Sequence, residues 1–321
     1  MKLFNYTIII PHKNIPHLLQ RCLDTIPFRT DLQIIVVDDI SDAETIEYLK
    51  NMSTEYPHVT FVYSETSGGG GKARNEGLKL AKGKYVLFAD ADDFFNLCIN
   101  DVLEEYRNTN YNIVYFNANS LDTDTYNTTF RCRHLNKMIS LYEKNKEKAI
   151  FQLKYMFGEP WCKMVRRDII KDNNITFSET IIHNDTKFSY LVGHHSSNIH
   201  IDKRAIYCVT DRTDSVSKCT SLECLFIRTY IFAEATFFFI NNGVPLYGQF
   251  VFNPFHNFLL TGKWDNSKLC YRTMRTCGMS NFQIFKGYSI FLFRKIIKIP
   301  QKTAKLLCKI FKLLKQFYEY N

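Results

Sequence analysis

The chain has 321 residues, 45% hydrophobic and 23% charged, the proportions of a globular protein able to build one large domain or two smaller ones. No stretch approaches the roughly 20 apolar residues of a membrane span, and MKLFNYTIIIPHKN lacks a small-residue cleavage site, so its apolar run reads as a first strand. The net charge of +9 is concentrated: nine of the 41 Lys+Arg lie in residues 281–321 against one acid, Glu319, which argues against a protein that coats nucleic acid.

The first hundred residues alternate strand and helix signals. TIII (7–10) is a strand, and Pro16 sets a helix start for HLLQRCLDTI, with Leu18, Leu19, Cys22, Leu23 and Ile26 at helical spacing. QIIVVDD (33–39) is a second strand, followed by a helix that Ser41 or Asp42 caps. VTFVY (59–63) is a third strand, KARNEGLKLAK (72–82) a helix closed by Gly83, and KYVLFA (84–89) a fourth strand. Short β-rich runs separated by helices predict crossover connections and a parallel sheet. Further on, 113–119 and 200–210 read as strands. Residues 161–192 read as a helix, a turn and a helix from about Asp185, and the chain beyond 216 reads as mainly helical. The ten cysteines form no CxxC pair and no metal-finger spacing, so reduced, mostly buried thiols in a cytoplasmic protein are expected.

Ligands of such sheets bind at the carboxyl ends of the strands. Four unusual segments sit there: PHKN, DDISD, ETSGGGG and ADADD. Each alone has a bland explanation, as a loop, a turn or a cap. Together they converge on one site. Gly68 to Gly71 precede a helix and offer backbone amides to phosphate, with Lys72 and Arg74 just behind. Asp90, Asp92 and Asp93 crowd one turn. Three carboxylates that close repel unless a cation neutralises them, and their hard oxygens suit Mg²⁺ or Mn²⁺.

These segments, with PWCKMVRRDIIKDNNITFSETIIHNDTKFSY further on, resemble the family 2 glycosyltransferases of the GT-A fold over roughly 4–217. The resemblance implies an α/β, Rossmann-like, mainly parallel sheet, with a nucleotide-sugar half (1–100), an acceptor half (101–215) and a mostly helical basic region (216–321). It also implies a nucleoside-diphosphate sugar donor, a divalent metal and inversion at the anomeric carbon. On it, Pro11, Lys13, Asn14, Asp39, Gly70, Lys72, Arg74 and Asp90 serve the donor. Asp92 holds the metal, Asp93 is a support or alternative ligand, and Asp185 is the catalytic base. Trp161, Lys163 and Asn184 lie on the acceptor side.

Two residues depart from the family pattern. Lys13 stands where an aromatic residue is usual, and Asn184 stands where Glu is usual. Without a like-charged neighbour at 184, the basicity of Asp185 must come from burial. No single histidine among His183, His194, His195 and His200 is picked out as a metal ligand. A sugar nucleotidyltransferase, which would carry a G-x-G-T-R-like loop in place of PHKN, and a non-catalytic scaffold are the competing readings.

On a helical wheel, 302–317 separates Lys302, Lys305, Lys309, Lys312 and Lys315 from Leu306, Leu307, Ile310, Phe311, Leu314 and Phe317. A basic face opposite an apolar one suits an anionic membrane surface. Residues 287–318 are therefore expected to attach the protein peripherally to the cytoplasmic face of the inner membrane, which would suit a saccharide or lipid-linked acceptor.

Overall fold

The computed structural model describes residues 4–212, 219, 221–245 and 251–297. The chain divides into two compact units, Met1–Lys218 and Cys219–Asn321. In the first, β1 (Tyr6–His12), α1 (Pro16–Asp24), β2 (Leu32–Asp38), α2 (Ala43–Glu55), β3 (Val59–Tyr63), α3 (Gly69–Leu80) and β4 (Tyr85–Phe88) alternate. Then come β5 (Phe94–Phe95), α4 (Ile99–Tyr106), β6 (Ile113–Asp122), α5 (Arg133–Ser140) and α6 (Lys146–Met156). β7 (Lys163–Arg166), α7 (Arg167–Asp172), α8 (Thr186–His195) and β8 (Ile199–Asp211) complete the unit.

The strands form one mixed sheet in the order β3-β2-β1-β4-β7-β6-β8-β5. β1 lies parallel to both β2 and β4, β2 parallel to β3, and β6 parallel to β8. Ile8, Ile9 and Ile10 are fully buried, because successive side chains of a central parallel strand meet helices on both faces. Parallel neighbours bring their carboxyl ends to one edge, so PHKN, the two aspartates after β2, the glycine run and the acidic turn all emerge together.

Two expectations change. Residues 163–166 are a strand: β7 inserts antiparallel between β4 and β6, pairing Val165 with Val86 and Met164 with Val114. Met164 and Val165 are fully buried there, and burial in the sheet overrides the helical reading. Helix α3 begins at Gly69 rather than Lys72, so three glycines lie inside its first turn.

The second unit contains α9 (Leu222–Asn241), α10 (Phe252–Leu260), α11 (Trp264–Thr276) and α12 (Asn281–Ile297). Its core includes Phe252, Phe255, Met274, Ile284 and Tyr288. Cys219 and Cys224 are joined by a disulfide, contrary to the expected reduced thiols. Ser221 caps α9 by accepting from Cys224 N, and that turn brings the two Cα atoms to 6.2 Å. The seven free cysteines described are buried or half-buried, and Cys308 lies outside the described residues. Among those residues no helix is long and apolar enough to cross a membrane. Most of the basic segment, 298–318, also lies outside them.

Helix α8, which follows Asp185, packs closely on α6: a Cβ at Gly193 would stand 2.4 Å from the Lys154 carbonyl oxygen. Gly193→Ala should destabilise the protein by about 1–3 kcal/mol through overpacking. Gly158→Ala, whose Cβ would meet Thr186 Oγ1 at 3.7 Å, should stay within about 0.5 kcal/mol. Thermal or denaturant melts of the two variants test the contrast.

Candidate active site

The nucleotide end begins at β2. Of its two terminal aspartates, Asp38 is already engaged. Its carboxylate takes His12 Nδ1 at 2.8 Å, Ser41 N at 2.9 Å and Ser41 Oγ at 2.5 Å. Burial raises the Asp38 carboxyl, but these hydrogen bonds outweigh it and hold the group below the usual carboxylate range. His12 Nε2 accepts from Ile15 N at 3.2 Å, which leaves the imidazole proton on Nδ1 facing Asp38.

Asp39 turns the other way, to the glycine loop. It accepts from Gly68 N at 2.8 Å, Gly69 N at 3.0 Å and Ser67 Oγ at 3.0 Å. This carboxylate caps α3 from another strand, and its negative charge stabilises the helix N-terminus. Lys13 Nζ lies 3.5 Å from Asp39 and 3.4 Å from Ser67 Oγ. Asn14, with φ of 52°, accepts from Asp42 N through its side chain, so it shapes the loop that carries Lys13. Pro11 lies within β1, opposite Val37.

Gly70, singled out by the sequence, faces Arg74, with its notional Cβ 3.2 Å from Nη1. The tighter requirement falls on Gly71, where a Cβ would meet the Ser178 carbonyl oxygen at 2.1 Å. Lys72 folds back onto the Thr66 carbonyl oxygen and hydroxyl, 3.7 Å from Glu76.

Arg74 is buried and bridges two segments. One amino group donates to Asp90 Oδ1 at 2.5 Å, the other to Asn184 Oδ1 at 2.9 Å, and the guanidinium lies 5.4 Å from the Phe177 ring centre. The acidic turn is pinned on every side. Asp90 N donates to Tyr207 Oη at 2.7 Å, and Asp93 accepts from Thr210 N at 2.7 Å. The Asp92 carbonyl accepts from Arg21 and from Thr210 Oγ1, while its carboxylate pairs with Arg212 Nε at 2.9 Å. One oxygen from each of Asp90, Asp92 and Asp93 falls within 4.8 Å of the others. Burial and then Asp90 push the Asp92 carboxyl up. Burial, followed by Asp92 and Asp90, pushes Asp93 up further.

Asp185 occupies the N-cap position of α8, yet its side chain makes no capping hydrogen bond. Its carboxyl is pushed up to about 6, by burial first and then by Glu159, against the opposing charges of Arg74 and Lys163. The like charge missing at 184 thus arrives from Glu159, a residue the sequence pattern did not mark. Asn184 itself accepts from Arg74 through its side-chain oxygen.

Of the residues expected on the acceptor side, Lys163 is buried, with Nζ donating to the Phe157 carbonyl oxygen at 2.8 Å and Ser189 Oγ at 2.7 Å. Burial lowers its ammonium to about 7. Trp161 is buried and stacks on Tyr207 at 6.1 Å. His200 stacks on Tyr111 at 4.8 Å, and His194 lies 3.2 Å from Tyr155 Oη. Among the described residues the candidate metal-holding cluster is the three aspartates. Tyr207, Arg212 and Glu159 belong to the site and escaped the sequence reading. Arg212 follows directly on β8, and residues 213–218 after it lie outside the described residues.

The profile of glycosyl transferase family 2 matches residues 7–173. The chain belongs to this family. A curated family relative, poly(ribitol-phosphate) beta-glucosyltransferase of Bacillus spizizenii, is 28% identical over 180 residues, 53% of this chain and 26% of the relative. The chain spans 26%, 53% and 62% of the lengths of three curated relatives it matches. The solved structure of S. aureus TarS 1–349 in complex with UDP-GlcNAc superposes with a TM-score of 0.60 at 19% identity, covering 84% of this chain and 79% of that one. The Pyrobaculum calidifontis mannosyltransferase PcManGT, in complex with GDP-Man and Mn²⁺, gives a TM-score of 0.55 at 14% identity, over 97% and 87% of the two chains. These likenesses establish the GT-A fold.

The donor set fits a divalent metal. Three hard carboxylate oxygens converge, and the Asp92 and Asp93 carboxyls are raised by burial first and by their carboxylate neighbours second, a combination that a bound cation would offset.

If Asp185 serves as the base, its carboxyl near 6 is protonated, and so inactive, below that pH. Turnover should therefore fall on the acid side of about pH 6, by roughly tenfold per unit well below it. Glu159→Gln removes a like charge and should move that limb to lower pH. A pH–rate profile in which Asp185→Asn retains the acid limb would remove Asp185 from the base role.

Proposed function

We propose that the protein is a metal-dependent, inverting glycosyltransferase. It moves a hexosyl or hexosaminyl group from a nucleoside-diphosphate sugar, a UDP-sugar by preference, to a hydroxyl of a saccharide or lipid-linked saccharide in surface-polysaccharide assembly. The observation that carries this reading is the chain of contacts Asp90–Arg74–Asn184. It ties the acidic turn to the segment that presents the uncapped, weakly acidic Asp185.

In this reading the donor lies along the carboxyl ends of β1 to β4. Asp39 accepts from the nucleobase or ribose, and Lys13, Lys72 and Arg74 supply positive charge to the base and diphosphate. Asp185 takes the proton of the acceptor hydroxyl as that oxygen bonds to the anomeric carbon and the bond to the diphosphate oxygen breaks. Asp92, with Asp90 and Asp93, would hold Mn²⁺ or Mg²⁺, and the bound ion would supply Lewis-acid stabilisation of the departing diphosphate. The relatives whose names give a UDP-GlcNAc or GDP-Man complex and a poly(ribitol-phosphate) acceptor support this donor class and a cell-surface polymer.

A panel of nucleotide sugars with Mn²⁺, read by released nucleoside diphosphate, tests the proposal. One donor should be turned over, and Asp92→Ala should abolish the release. Asp185→Asn should lower kcat by about 10²–10⁴-fold with nucleotide affinity kept. Nucleotide binding without turnover under any acceptor would favour a non-catalytic scaffold.

Residues 287–318 are proposed to rest on an anionic membrane at the cytoplasmic face. In α12, which enters this segment, Phe282 is 71% and Phe293 64% exposed, apolar surface of the kind that inserts at a lipid interface. The full chain should float with vesicles containing an anionic lipid and stay behind with zwitterionic ones. Equal behaviour with both would sink the membrane role.

A further inference from the structure

Strand β6 does not simply end at Asp122. The Asp122 carboxylate accepts from Thr125 N and Thr125 Oγ1, both at 2.8 Å, a side-chain turn that reverses the chain. Tyr126 takes the left-handed conformation, with φ of 56°. The returning segment then pairs with β6: Thr129 N donates to the Ser120 carbonyl oxygen and Ser120 Oγ to the Thr129 carbonyl oxygen, both at 2.9 Å. Helix α5 follows, and Asn136 clamps it to β6 by donating to the Ala118 carbonyl oxygen at 2.8 Å and accepting from Ala118 N at 3.2 Å. Leu135, Met138 and Ile139 pack inward. Between the end of β6, the returning segment and α5 lies a cleft of about 390 Å³.

The lining of the cleft has a definite chemistry. Arg133 and Lys137 contribute two positive charges, and no carboxylate lines it. The two stand one helical turn apart on the exposed side of α5, where like charges repel. Among the described residues neither is recorded in an ion pair. Thr128, Thr129, Ser120 and Ser140 add hydroxyl-bearing residues to the same lining. Phe130, 80% exposed, forms part of the wall, with the Arg133 guanidinium 5.9 Å from its ring centre. Two cations, hydroxyl groups and an aromatic face suit a ligand that is at once anionic and polyhydroxylated.

The cleft is also bonded to the acidic turn. Arg131, between Phe130 and Cys132 of the wall, donates to the Thr210 carbonyl oxygen at 3.1 Å. Thr210 Oγ1 in turn donates to the Asp92 carbonyl oxygen at 2.7 Å. Since the donor-binding segments come from the ends of β1 to β4, a cleft built on β6 and α5 falls to the other substrate.

We propose that this cleft is a subsite for a phosphate group of the acceptor. The acceptor is a phosphate-bearing polyol or saccharide whose phosphate is held by Arg133 and Lys137 and whose carbon skeleton lies against Phe130. The subsite rests on the glycosyl-transfer reading above, and its test is separable from it.

The full chain is titrated calorimetrically with a short poly(glycerol phosphate) oligomer, with an unphosphorylated glucan oligomer and, separately, with UDP. The wild type should bind the phosphate oligomer and bind the glucan far more weakly. The double variant Arg133→Gln/Lys137→Gln, altered only at exposed side chains, should lose about 10-fold or more in affinity for the phosphate oligomer, the size of a lost charge-assisted contact. Its UDP affinity and melting temperature should be unchanged. A sugar phosphate on a short polyprenyl chain provides the second arm. Tighter binding of that probe would assign the phosphate to a lipid carrier, tighter binding of the oligomer to a polymer, and both must depend on Arg133 and Lys137. Equal affinity of wild type and variant for the phosphate probes, or binding of neither probe by the wild type, would overturn the subsite. Failure to bind UDP with oligomer binding intact would count against glycosyl transfer and leave the subsite standing.

Discussion

One buried guanidinium holds the site together. Arg74 reaches Asp90, 16 residues away, and Asn184, 110 residues away, so the turn after β4 and the segment before α8 share a single cation. Its other face lies on Phe177, which excludes water and strengthens both contacts. A buried cation without these partners would be costly. The fold therefore has a thermodynamic reason to keep the acidic turn and the candidate base in one register. The close approach of Gly71 to Ser178 and Asn184 serves the same end, because a side chain there would push α3 off the segment that carries Asn184.

Charge in the site is redistributed rather than reduced. The family pattern places a carboxylate at 184, where this chain has an amide, and Glu159 provides a negative charge near Asp185 instead. The two arrangements are physically alike for Asp185, since each adds a like charge to the effect of burial. They differ for Arg74, which meets a neutral acceptor at Asn184 and a charged one at Asp90. Arg212 gives Asp92 a second positive neighbour. The three-aspartate turn is thus balanced partly by arginines from β8's end and α3, and a divalent ion would act on what remains.

Much of this was legible locally. Strands 7–10, 33–39, 59–63 and 84–89, the helix from Pro16 and the helix after Asp185 follow from short-range pattern and turn chemistry. The clustering of PHKN, DDISD, the glycines and ADADD follows from a parallel sheet having its carboxyl ends on one edge. Residues 163–166 were illegible because Lys163, Met164, Val165 and Arg166 carry no strand alternation. They become a strand only when β4 and β6 leave a space between them. The roles of Asp38 and Asp39 likewise could not be separated in sequence. His12 and Ser41 claim the first, and the amides of Gly68 and Gly69 claim the second. The Cys219–Cys224 bond escaped for a similar reason: its spacing has no familiar motif, and the cap at Ser221 creates the proximity.

The sequence by itself determined the fold class, the order of the segments that meet at the strand ends, and which residue types gather there, because hydrophobic period and turn propensity act over a few residues. Tertiary structure decided which of those residues are partners. Arg74 with Asn184, Asp92 with Arg212, and Asp185 with Glu159 are separated by 26 to 120 positions in the chain. Electrostatic coupling and desolvation depend on distance and burial in space, and neither is encoded by proximity along the sequence.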